Sequence, residues 1–145
     1  MMRISKLLCK SFALLSLLFI ACSNTDDIQQ KVTEIDASQL KVRDPFIFYD
    51  ADTDYYYLHV NGTLKVKSYK SKDLLTWQEN GYSFLPSAGF WGKEDFWAPD
   101  FYKYKDKYYL FITLSAPGVK RGTSVLVSDR VTGTFQPLVN APVTP

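Results

Sequence analysis

The reading turns on Pro45–Tyr69, PFIFYDADTDYYYLHVNGTLKVKSY, and on its partial echo at Asp100–Leu114, DFYKYKDKYYLFITL. In the first stretch, short runs of aromatic and β-branched residues are separated by turn residues, which is the pattern of antiparallel strands rather than helix. Pro45–Tyr49 reads as one strand, Asp50–Asp54 as a turn and Tyr55–Val60 as a second strand. Asn61-Gly62 has the chemistry of a two-residue hairpin turn, because both residues tolerate positive φ. Leu64–Tyr69 then forms a third strand, and Ser71–Gln78 ends the unit. The second stretch follows the same plan. Asp100–Tyr104 parallels Phe46–Tyr49, with Lys105-Asp106-Lys107 as the turn. Tyr108-Tyr109-Leu110 echoes Tyr56-Tyr57-Leu58 at an offset of 52, Ser124–Ser128 matches the third strand, and Thr134-Phe135-Gln136 echoes Thr76-Trp77-Gln78 at an offset of 58.

A repeat of about 50 to 60 residues with four strands per copy is the signature of a β-propeller blade. The fold class read here is therefore all-β, a propeller with blade one over about 42–80 and blade two over about 96–140. A plain β-sandwich of eight short strands is the alternative. Propellers close with about four to eight blades, and each blade buries its faces against its neighbours. Two blades leave two apolar faces open, so the sequence is expected to be the N-terminal part of a longer protein.

Working outward, residues 1–10 carry Arg3, Lys6 and Lys10, and Ser11–Ala21 is an apolar run. That run falls short of the roughly 20 residues a membrane span needs and fits the core of a secretory signal. Phe19-Ile20-Ala21-Cys22 resembles the bacterial lipobox, in which the Cys is lipidated and the chain is cut before it. Residues 1–21 are thus read as a lipoprotein signal peptide, Cys22 as the lipidation site, and 22–39 as a polar tether. Asp26-Asp27 resembles the acidic export signal of bacterial surface lipoproteins. The expected location is the outer membrane, facing the periplasm or the cell exterior, with the membrane reached only through the lipid. Cys9 and Cys22 are the only cysteines, so the mature domain has none for a disulfide.

Beyond residue 21 the chain holds 14 basic and 15 acidic residues, a net charge of −1. Nucleic acid is therefore not an expected partner, since it requires a net basic face. One histidine, no Gly-x-Ser-x-Gly and no mature cysteine disfavour a serine or cysteine hydrolase. Asp50, Asp52 and Asp54 imitate a calcium loop, but Tyr55 stands where glycine is needed, so they read as a solvated turn. No metal site and no cofactor are expected.

What remains is two Asp-Pro pairs. Arg43-Asp44-Pro45 opens blade one and Trp97-Ala98-Pro99-Asp100 opens blade two, each at the start of an innermost strand. Such positions converge on the propeller axis, and converging carboxylates suit glycoside hydrolysis, where one activates water and another protonates the leaving oxygen. Phe90-Trp91 and Phe96-Trp97 supply aromatic faces for sugar rings, in a loop expected to lead to the axis.

The ordered set Arg43-Asp44-Pro45, Ser71-Lys72-Asp73-Leu74 with Trp77, Phe90-Trp91-Gly92 and Phe96-Trp97-Ala98-Pro99-Asp100 resembles the glycoside hydrolase family 43 group of five-bladed propellers. The likeness runs from about Val42 to Pro145. It implies an inverting glycosidase acting on arabinose- or xylose-containing plant polysaccharides or oligosaccharides. It also implies Asp44 as general base and Trp97, Asp100 and Trp91 as substrate-contacting residues. The family's second Asp and its general-acid Glu are expected beyond Pro145. The alternatives are a fructoside-cleaving propeller enzyme, although the Asn-Asp-Pro-Asn signature of that group is not seen here, and a non-catalytic glycan-binding surface lipoprotein.

Overall fold

The computed structural model describes residues 33–144. The expected signal peptide, the expected lipidation site Cys22 and the first part of the expected tether lie outside the described residues. Among the described residues, nine strands form two antiparallel sheets. The first contains β1 (Glu34–Asp36), β2 (Phe46–Asp50), β3 (Tyr55–Gly62), β4 (Lys65–Ser71) and β5 (Thr76–Phe84), in the order β1-β5-β4-β3-β2. The second contains β6 (Glu94–Tyr104), β7 (Lys107–Ala116), β8 (Val119–Ser128) and β9 (Gln136–Pro137), in chain order. Each copy of the repeat is thus one four-stranded blade, with β2 and β6 as the corresponding inner strands.

The echo in the sequence is an echo of faces. Tyr108, Leu110 and Ile112 sit in the core between the blades, packed with Tyr57, Val66 and Phe84 of blade one. Phe101 is its centre: fully buried, 5.0 Å from the Phe48 ring and stacked on His59 at 4.2 Å. The corresponding blade-one residues, Tyr56, Leu58 and Val60, face the other way and pack with Tyr69, Trp77, Ile35, Leu40 and Val42. On blade one, the N-terminal segment thus covers the face that on blade two meets a neighbouring blade. The opposite face of blade two carries Tyr102, Tyr104, Tyr109 and Phe111 around an open aromatic cleft of about 350 Å³. Tyr109 corresponds to Tyr57, which is buried between the blades.

Several details differ from the sequence expectations. The end of the tether is folded: β1 pairs with β5 through Ile35↔Trp77, and a single 3-10 turn follows at Ala37–Gln39. A polar stretch such as Glu-Ile-Asp carries too little apolar pattern to read as a strand, and backbone pairing to an open sheet edge compensates. The β3–β4 hairpin does not turn at Asn61-Gly62. Those residues remain in the strand, Gly62 pairs with Lys65, and the turn is Thr63-Leu64 with Leu64 at φ 52°. The observed register sets Leu58 opposite Tyr69 and His59 opposite Ser68, all buried. A turn at Asn61-Gly62 would put Leu58 opposite a lysine. Burial of two apolar residues outweighs the left-handed conformation at Leu64, which costs about 1–2 kcal/mol.

Candidate functional site

Asp44 lies immediately before β2, in the left-handed region at φ 48°. Aspartate visits this region more readily than most residues because its short side chain bonds locally. Here Arg43 Nε lies 3.4 Å from Asp44 Oδ2, and both side chains are solvent-accessible. An exposed carboxylate of this kind can accept a proton from a water molecule.

On blade two the inner strand is irregular where the site lies. The β6–β7 pairing slips between Glu94 and Trp97 and again between Trp97 and Asp100. Asp95 at φ 56° and Ala98 at φ 45° provide the kinks, and Pro99, which has no amide to donate, sits in the second slip. Bulges of this kind re-aim a side chain. The residue re-aimed here is Trp97, which belongs to the inner strand and not to a loop as expected.

Two guanidinium groups lie over the Trp97 ring, that of Arg43 at 5.5 Å and that of Arg121 at 4.2 Å. Arg121 Nη2 donates to Asp95 Oδ2 at 2.6 Å, and the Ser115 hydroxyl donates to the same oxygen at 2.7 Å. The Arg121 bond, reinforced by Ser115, holds the Asp95 carboxyl below the usual carboxylate range. Trp97, Asp95 and Phe96 line a cavity of about 430 Å³ whose other wall is Asn61, Gly62, Thr63 and Leu64 of the β3–β4 hairpin. A basic groove with Lys41, Arg43, Lys65 and Lys67 on its walls shares that hairpin.

The structure therefore brings Asp44 and Trp97 together through Arg43. Asp100 follows Pro99 on the same strand, exposed and opposite Phe111. Trp91 is placed differently: it does not line the cavity beside Trp97. Its indole N–H donates to the buried Ser124 hydroxyl at 2.8 Å, and its backbone N–H donates to Asn140 at 2.9 Å, which anchors it in blade two. Arg121, Asp95 and Leu64 were not singled out by the sequence. Arg121 reads as a charge near a Gly-rich turn, and only the fold carries it to Trp97. Asp50 was read as solvated but is buried, accepting from the Tyr108 hydroxyl at 2.8 Å. Among the described residues no cluster of potential ligands is arranged to hold a metal ion.

Residues 37–144 match the family model described as glycosyl hydrolases family 43. No curated protein matches. Among solved structures, an endo-arabinase from Bacteroides thetaiotaomicron is 58% identical, with a TM-score of 0.74, over 77% of this chain and 39% of that one. An endo-1,4-beta-xylanase from the same organism is 25% identical with a TM-score of 0.61, over 73% of this chain and 36% of that one. An alpha-L-arabinanase mutant from Cellvibrio cellulosa is 25% identical with a TM-score of 0.55, over 74% and 35%. The chain thus spans about two fifths or less of the length of these structures. The match over residues 37–144, which takes in both blades and the Asp44–Trp97 site, establishes that the chain belongs to glycosyl hydrolases family 43.

Proposed function

We propose that the protein is a glycoside hydrolase that cleaves arabinose- or xylose-containing plant polysaccharides or oligosaccharides with inversion, as part of carbohydrate breakdown. The observation that carries this reading is the placement of Asp44. A solvent-accessible carboxylate stands in a strained backbone conformation at the head of an inner strand, joined through Arg43 to an aromatic wall on the next blade. Non-glycine residues in the left-handed region persist where the surrounding structure over-determines them, commonly at sites of function. The 58% identity to an endo-arabinase supports an arabinose-based substrate.

Asp44 acts as general base on the attacking water. A carboxylic acid outside the two described blades protonates the leaving oxygen, about 6.5–9.5 Å from Asp44, which leaves room for that water. Trp97 lines the sugar site, with Asp100 as a further substrate contact. The aromatic face of Tyr102, Tyr104, Tyr109 and Phe111 receives a further blade, as the Tyr57 face of blade one receives blade two. Lipidation at Cys22 anchors the protein to the outer membrane.

The test is release of sugars from arabinan and from xylan by the protein as its cells make it, with the product anomer followed by NMR. Inverted product from the wild type, with Asp44→Asn folded and at least about a thousandfold slower, is the expected result for loss of a general base. Retained anomeric configuration with fructoside cleavage, or oligosaccharide binding without release, would each overturn it. Turnover by Asp44→Asn at the wild-type rate would remove Asp44 from the mechanism.

A further inference from the structure

We propose that Arg121 is a positioning residue for Asp44, acting between the blades through Trp97 and Arg43; the inference rests on the role assigned to Asp44 above. The contacts form one continuous series. Asp95 holds Arg121 at 2.6 Å, Arg121 lies over Trp97 at 4.2 Å, Arg43 lies over the same ring at 5.5 Å, and Arg43 meets Asp44 at 3.4 Å. Arg121 belongs to β8, and its side chain reaches past β7 to the inner strand β6.

An isolated surface ion pair holds nothing firmly, because two long side chains lose entropy for little Coulomb gain. This arrangement differs in three respects. Asp95 is fixed from a second side by Ser115. The guanidinium of Arg121 lies over an indole, a geometry in which its planar group gains both cation–π and stacking energy. The charges also run in a balanced order, an anion at each end and the two cations meeting at the indole, so each cation there has its own carboxylate. Without Arg121, Asp95 loses its cation and the bulge that aims Trp97 loses its tie to β8. Arg43 then loses the fixed surface that holds it beside Asp44, and the carboxylate samples orientations away from the attacking water.

The test compares Arg121→Ala, Arg121→Lys, Arg43→Ala and the Arg43→Ala/Arg121→Ala double variant on arabino-oligosaccharides. Arg121→Ala is expected to lower kcat about tenfold while KM stays within about twofold, since orientation of the base matters in the transition state and not in substrate binding. Arg121→Lys recovers part of the loss, because it still pairs with Asp95 but cannot stack as a plane. The double variant falls no further than Arg43→Ala alone, as for residues acting in one series. Unchanged kcat in Arg121→Ala, a loss confined to KM, or additive losses in the double variant would each overturn the proposal. A readout without substrate separates it from the hydrolase reading: the Arg43 Nε–H resonance in ¹⁵N NMR spectra is expected to move in Arg121→Ala. An unmoved resonance overturns the brace even in an active enzyme. A moved resonance in a protein that releases no sugar keeps the brace and refutes the role of Asp44.

Discussion

Removing one hydroxyl should loosen the two blades measurably. Tyr108 on blade two donates to Asp50 Oδ1 on blade one at 2.8 Å, and Asp50 is only 2% exposed. The other carboxylate oxygen accepts from the Thr53 backbone N–H at 3.1 Å and the Thr53 hydroxyl at 2.8 Å. Tyr108→Phe keeps the ring, its shape and its packing against Phe101, but leaves a buried carboxylate oxygen without its donor. A hydrogen bond to a charged group contributes about 1.5–3 kcal/mol, and an orphaned buried acceptor keeps its full desolvation cost. A loss of about 2 kcal/mol is expected, which for a domain of this size lowers Tm by roughly 8 °C. The control is Tyr82→Phe on the exposed outer strand β5, expected to change stability by less than about 0.5 kcal/mol. Thermal and urea unfolding followed by tryptophan fluorescence measure both. Burial, and the bond to Asp50, raise the Tyr108 hydroxyl pKa above its ordinary value. Because the folded value is raised, this contribution is complete below about pH 10 and is lost as pH rises through the folded value. Tyr108→Phe should remove that alkaline loss. If the two variants prove equally stable, or if Tyr108→Phe and Asp50→Asn add without coupling, the Asp50–Tyr108 bond does not join the blades.

His59 is fully buried and its pKa is pushed down to about 3 by burial. The unfolded chain takes up a proton near pH 6.5 that the folded chain refuses, so wild-type stability should fall by up to about 1.4 kcal/mol per pH unit below that point. The difference from His59→Gln should shrink over pH 7 to 4 in urea titrations, and a constant difference would contradict this burial. Phe101 is fully buried between the blades, and Phe101→Ala should cost about 3–5 kcal/mol, read as a shift in urea midpoint. A methyl group on Gly92 would meet Leu114 Cδ1 at 2.8 Å and Phe90 Cε1 at 3.1 Å. Gly92→Ala should therefore cost about 1–3 kcal/mol in the same assay, through overpacking of a core with no slack.

Several features were legible because they depend on period and local chemistry. Aromatic and β-branched runs bounded by turn residues identified the strands at Tyr55–Val60 and Tyr108–Leu110, and the offset of 52 identified equivalent blades, because equivalent faces must be apolar in the same register. Asp44 stood out as an aspartate between Arg43 and Pro45 at a strand start. Local chemistry failed where a distant partner decided the outcome. Asn61-Gly62 is the better turn, yet the pairing of Leu58 with Tyr69 moved the turn to Thr63-Leu64. Asp50 looked solvated, yet Tyr108 buried it. Trp91 and Trp97 looked alike, yet Ser124 and Asn140 hold one in blade two while two arginines lie over the other.

The amino-acid order by itself determined the strands, the repeat, the all-β class and the candidacy of Asp44, because each follows from side-chain periodicity or from motifs within a few residues. Only the tertiary structure decided what surrounds that aspartate. Arg121 reaches Trp97 because β8 lies two strands from β6 in one sheet, and Arg43 reaches it because β2 and β6 lie side by side as inner strands. No local pattern encodes such meetings between residues dozens of positions apart; they arise when two apolar faces close on Phe101 and leave the polar rims of both blades in contact.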